Sequence, residues 1–222
     1  MVTNSYDRLI QALGADLTPV RRLAPPGART LIWLTIVGAI ALALATVSDV
    51  GAMSRRLMAA PDMWLAAIGS LVTAVLAAVA AFQLSLPDRK PAWALLPLPA
   101  AVFWVAASGI GCLRWWLVPE THPASLGEAE TCLAFILGIS VPLSALLIVM
   151  LRQGCPLRPN LTLVIAGLAC ASAAATLLNF IHPYDATATD LTVHAFAVAT
   201  VILANAIFGG RLLMGKDVLA SV

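Results

Sequence analysis

The stretch MWLAAIGSLVTAVLAAVAAF, residues Met63 to Phe82, decides how this chain must fold. It holds no Asp, Glu, Lys or Arg, and its length suits a helix crossing a hydrocarbon core about 30 Å thick. Lipid offers no partner to a backbone N–H or C=O, so a lone segment of this kind must bond to itself as an α-helix. Similar windows occur at Leu31 to Val47, Ala92 to Ser108, Thr131 to Leu151, Leu161 to Phe180 and Leu191 to Gly209. The chain therefore reads as an all-α polytopic membrane protein, a bundle of six transmembrane helices. Its composition agrees: the 222 residues are 61% hydrophobic and 11% charged, with a mean hydropathy of +0.94. A soluble domain carries about a quarter charged residues.

Charge orients the bundle. With the amino terminus in the cytoplasm, that side holds Arg8, Arg21, Arg22, Arg29, Arg89, Lys90, Arg152, Arg158, Arg211 and Lys216, against Arg55, Arg56 and Arg114 outside. The Lys/Arg bias sets topology, so both termini are expected to be cytoplasmic and the chain multi-pass in the cell inner membrane. The first window follows about thirty polar-containing residues and is read as a retained span rather than a signal peptide. Trp33, Trp64, Trp93, Trp115 and Trp116 fall near span ends, where amphipathic rings suit the interface.

Residues 1–29 precede the first span, and residues 30–222 form the transmembrane domain. In the leading segment Tyr6, Leu9, Ile10, Leu13, Leu17 and Val20 recur at steps of three and four, one apolar stripe of a short amphipathic cytoplasmic helix. Asn4 or Ser5 can cap its start and Pro19 ends or kinks it. The loops between spans are short, so this segment is the chief surface for a soluble partner. Its stripe suits a groove in such a partner, with the membrane surface as the alternative resting place. The polar face carries Asp7 and Asp16 beside Arg8, unlike a Lys/Arg-rich lipid-binding helix. Its arginines are read as orientation signals that also touch anionic lipid, and no direct nucleic-acid binding is expected.

No nucleotide loop, nucleophile elbow, HExxH or paired CxxC occurs, so no enzyme activity, catalytic residue or resident cofactor is expected. Polar residues instead gather near the outer ends of the later spans. Glu128 and Cys132 share a face at the start of span four, as Asp190 and His194 do at the start of span six, with His182 in the loop before it. If spans four and six adjoin, these groups could converge on a soft divalent ion such as zinc or cadmium, bound transiently. The bland alternatives are that His194 hydrogen-bonds within the bundle and that Asp190 caps the last span. Cys112 and Cys132 both fall on the oxidising side, which permits a disulfide between them. Span five places Gly167, Ala171 and Ala175 at four-residue steps, a face that lets another helix approach closely, and Pro142 can kink span four.

Three stretches together resemble the NrsF-type membrane anti-sigma factors, the negative regulators of sigma F. They are the leading segment Leu9 to Leu23 followed by Pro25-Pro26; the run Arg152-Gln153-Gly154-Cys155-Pro156-Leu157-Arg158-Pro159 leading to Gly167; and His182-Pro183-Tyr184-Asp185 through Asp190 and His194 to Gly209-Gly210-Arg211-Leu212-Leu213. The resemblance implies a protein that holds an extracytoplasmic-function sigma factor at the inner membrane and releases it on a periplasmic heavy-metal or oxidative signal. It assigns partner binding to the leading segment, with Leu9, Ile10, Leu13, Leu17, Arg21 and Arg22, and sensing to outer-side groups. Cys132 matches a family cysteine, whereas this chain has His182-Pro183 where a second thiol is expected. The rival readings are a small transporter or channel subunit, with His194 and Asn205 lining a route, and a membrane-embedded thiol enzyme.

Overall fold

A computed structural model describes residues 3–15, 22–59, 61–117, 126–154, 156–181 and 188–213. Eight helices appear among them: α1 (Thr3–Ala15), α2 (Pro26–Val47), α3 (Val50–Ala59), α4 (Pro61–Leu84), α5 (Leu98–Leu117), α6 (Leu126–Arg152), α7 (Pro159–Leu178) and α8 (Ala188–Leu213). No strand occurs among the described residues. Six helical stretches are long and apolar enough to cross a membrane, at 26–47, 62–84, 91–110, 130–152, 159–178 and 192–209, in register with the windows read from the sequence. They fit a multi-pass membrane protein.

Two details depart from the sequence reading. Between the first two spans lies α3, a short helix whose start is capped by Asp49: its Oδ1 accepts from the Ala52 N–H at 2.8 Å. The third span is broken at its start. Pro91–Leu95 forms a 3-10 turn, and α5 begins only at Leu98, after Pro97. A proline within a helix would lack its N–H bond and clash with the preceding turn, so the chain restarts there. By contrast Pro142 lies on the exposed face of α6 and is carried inside a continuous helix.

The centre of the bundle is α7. It packs against α4 on one side and α8 on the other, while α6 touches both α7 and α8. Small side chains make these approaches close: Ala74, Ala77, Ala78 and Ala81 of α4 and Ala166, Ala169, Ala171 and Ala173 of α7 are all buried in one cluster. Large apolar side chains such as Leu42, Val102, Phe103, Ile110, Leu203 and Phe208 point outward instead. Lipid is as apolar as leucine, so association comes from tight packing of small residues, and Gly167 is the clearest case. A Cβ there would stand 2.8 Å from the Ile202 Cα on α8. Interhelical hydrogen bonds add to it: Ser70 and Thr176 hydroxyls meet at 2.9 Å, and Asn205 Nδ2 donates to Ser144 Oγ at 3.0 Å.

Helix α2 is peripheral. It leans chiefly on α4, with lesser contact to α6 and α7, and few of its residues are fully buried. Its start is well defined: Pro25 occupies the cap and Pro26 the first turn, where a missing N–H costs nothing. One face of its first two turns is buried through Arg29, Thr30 and Trp33, and Trp33 is fully enclosed. This corrects the reading of Trp33 as an interface residue. The end of the bundle at which α2 begins, α4 and α6 finish and α7 starts is called the arm end below, and the opposite end the distal end.

Candidate functional site

Three groups of residues stand out, one at each end of the bundle and one before it. The first is α1. Tyr6, Leu9, Ile10 and Leu13 are 64%, 56%, 66% and 62% exposed, so the apolar stripe of the amphipathic helix is open among the described residues. Burying a side chain of this size contributes about 1.5 to 3 kcal/mol, so a stripe of four gains by being covered. Helix α1 makes no extensive contact with another described helix. Arg22 is exposed just before α2, while Leu17 and Arg21 lie outside the described residues.

The second group is the root of that arm. Arg29 is one turn inside α2 and 3% exposed, turned into the bundle rather than toward lipid. This corrects the expectation that its side chain touches anionic lipid. Its Nη1 donates to Ser85 Oγ at 3.2 Å, and its guanidinium lies 4.8 Å from the centre of the Phe82 ring, a cation–π arrangement. Ser85 Oγ in turn donates to the Phe82 carbonyl at 2.7 Å, which fixes the hydroxyl lone pairs toward the arginine. Nε and Nη2 of Arg29 are buried without a hydrogen-bond partner among the described residues, an expensive state for a charged group. Gly154, two residues beyond α6, closes the group from the other side. A Cβ on it would sit 2.6 Å from the Ser85 carbonyl oxygen and 2.8 Å from Ser85 Oγ. Thr162 Oγ1 of α7 reaches the Leu84 carbonyl at 3.4 Å. The available sequence signal for this group was an arginine inside the first turn of an apolar span.

The third group is at the distal end. Cys132 is 3% exposed and packs in a cluster with Ile136, Ala174, Leu178 and Ala197. Helices α6 and α8 therefore do adjoin, with α7 behind them. His194 is half-buried on α8, one turn before Ala197 and Val198. Glu128 and Asp190 lie in the first turns of α6 and α8, but their side chains fall outside the described residues, as does His182. Among the described residues no three His, Cys, Asp or Glu side chains gather as a metal group. The Cys112 side chain also lies outside them; its helix, α5, packs on α4 and α8.

Between the ends, Asn205 is a structural tie. It is 5% exposed and donates to both Ser144 Oγ and the Val201 carbonyl, so it joins α8 to α6 instead of facing an open route.

No curated protein and no solved structure matches this chain. Residues 13–214, from within α1 to just beyond α8, match the family model described as negative regulator of sigma F, and the chain belongs to that family.

Proposed function

We propose that this chain is a membrane-bound anti-sigma factor that holds an extracytoplasmic-function sigma factor at the cytoplasmic face of the inner membrane and releases it on a periplasmic heavy-metal or oxidative signal. The observation that carries this reading is the open stripe Tyr6, Leu9, Ile10 and Leu13 on a helix that makes no extensive contact with another described helix. A regulator of a sigma factor needs a surface to bind it, and the rest of the described chain offers mostly apolar spans. Leu17, Arg21 and Arg22 extend the docking surface toward the membrane. The excess of Lys and Arg on the arm side supports a cytoplasmic arm. Sensing falls to Cys132 with His194, Asp190, Glu128 and His182, which take up a soft metal ion transiently or, at the thiol, an oxidant. The chain has no catalytic role, no resident cofactor and no direct contact with nucleic acid.

Leu13→Asp tests the docking. Leu13 is 62% exposed, so the change leaves the bundle intact. It removes one apolar anchor and asks a carboxylate to enter a groove, a loss of about 3 kcal/mol or roughly a hundredfold in affinity. Full-length protein in detergent should then fail to co-purify its cognate sigma factor. Undiminished co-purification would sink the docking model.

A further inference from the structure

Arg29 sits where the arm's own helix, the end of α4 and the end of α6 meet. Its seat is half-built. Ser85 and Phe82 serve one side of the guanidinium, yet Nε and Nη2 are enclosed with no acceptor among the described residues. If the first turn of α2 turns outward, those two nitrogens gain water or lipid oxygens and lose the Ser85 bond and the ring contact. Withdrawal thus exchanges one set of polar contacts for another. The movement is asked of the first turn of α2; further along, Leu34, Val37 and Ile40 keep the helix packed on the core.

The same seat is touched from a second direction. Gly154 follows α6, the helix that carries Cys132 at the distal end, and it lies so near Ser85 that a single methyl group would collide with both the carbonyl and the hydroxyl. Ser85 is thus held between Gly154 and Arg29. A small displacement of α6 along or about its axis reaches Ser85 without any intervening flexible side chain, and Ser85 is the hydrogen-bond partner that keeps Arg29 in place.

We propose that Arg29 is a two-position latch at the root of the arm: seated on Phe82 and Ser85 it holds the arm in its sigma-binding pose, and a push from Gly154 on Ser85 unseats it and releases the sigma factor. This deepens the regulation of the arm and rests on the reading that the arm holds the sigma factor.

The test uses the full chain in inverted membrane vesicles with its sigma factor bound. Thr30 is buried next to Arg29, so Thr30→Cys in a Cys155→Ser background reports the seat through its labelling by a membrane-impermeant maleimide. Gly154→Ala, which drives Ser85 away, should raise the labelling rate about tenfold, the population change carried by one hydrogen bond to a charged group. Retained sigma factor should fall in parallel. Adding Arg29→Met should reverse both effects, because the thioether chain fills the seat on Phe82 and needs no hydroxyl from Ser85. If Gly154→Ala labels no faster than the parent, the latch does not exist. If Arg29→Met fails to reverse it, the glycine change acts by general unfolding and the latch is likewise overturned. Labelling that follows the latch while sigma retention stays constant refutes the arm reading instead.

Discussion

Replacing Gly167 with alanine puts one methyl group into the crossing of α7 and α8. The new Cβ would stand 2.8 Å from Ile202 Cα, 3.2 Å from Asn205 Cβ and 3.3 Å from the Val201 carbonyl oxygen. Two of these are backbone atoms, so no rotamer change relieves the contact. Ordinary contact begins at 3.4 Å, so the helices must part by about 0.6 Å, the difference between 3.4 and 2.8. That shift bears on the 3.0 Å bond from Asn205 to Ser144 as well. Overpacking costs about 1 to 3 kcal/mol and an interhelical hydrogen bond in lipid about 0.6, against up to about 1 kcal/mol recovered from helix propensity. The net loss is roughly 1 to 3 kcal/mol. Gly38→Ala is the control, because a Cβ at Gly38 meets nothing within 4 Å and only propensity acts. Equilibrium unfolding of both variants in mixed micelles of rising SDS content, followed by circular dichroism, gives the difference directly. Equal stability of Gly167→Ala and Gly38→Ala would refute the close α7–α8 crossing.

Other changes probe the remaining features. Trp33 is fully enclosed and anchors α2, so Trp33→Ala should lower unfolding free energy by about 3 to 5 kcal/mol in the same assay. Ser70→Ala removes a single hydroxyl pair between α4 and α7 and should cost only about 0.6 kcal/mol; a loss above 2 would mean the pair does more than bind two helices. Cys132→Ser should leave the sigma factor bound in unstressed cells and blunt the induction of a sigma-dependent reporter by cadmium or peroxide. An unchanged induction would remove Cys132 from the sensor.

The six spans were legible because hydropathy reports what surrounds a helix on average, and here lipid surrounds most of them. The stripe of α1 and the small-residue face of α7 were legible too, since each is a regular spacing along one helix. What escaped was everything set by which face meets which neighbour. Arg29 and Trp33 sit near the start of a span, where charge and aromatic rings ordinarily meet headgroups, and only the arrival of α4 and Gly154 from distant sequence turns them inward. Helix α3 is too short to register in windows of membrane length. The contact of α6 with α8 joins segments more than sixty residues apart, and spacing along the chain says nothing of it.

The peripheral station of α2 has an evolutionary corollary. The arm and its first span form a cassette on the outside of a five-helix frame, with Arg29 and Trp33 buried against it and Leu34, Val37 and Ile40 packed on it. If α1 is the sigma-binding arm, its residues can drift to follow a changing partner without disturbing how the frame packs, and the far end of the frame can change its trigger without redrawing the arm. Partner choice and stimulus choice would then be separable traits of one small polypeptide, coupled through the proposed Arg29 latch.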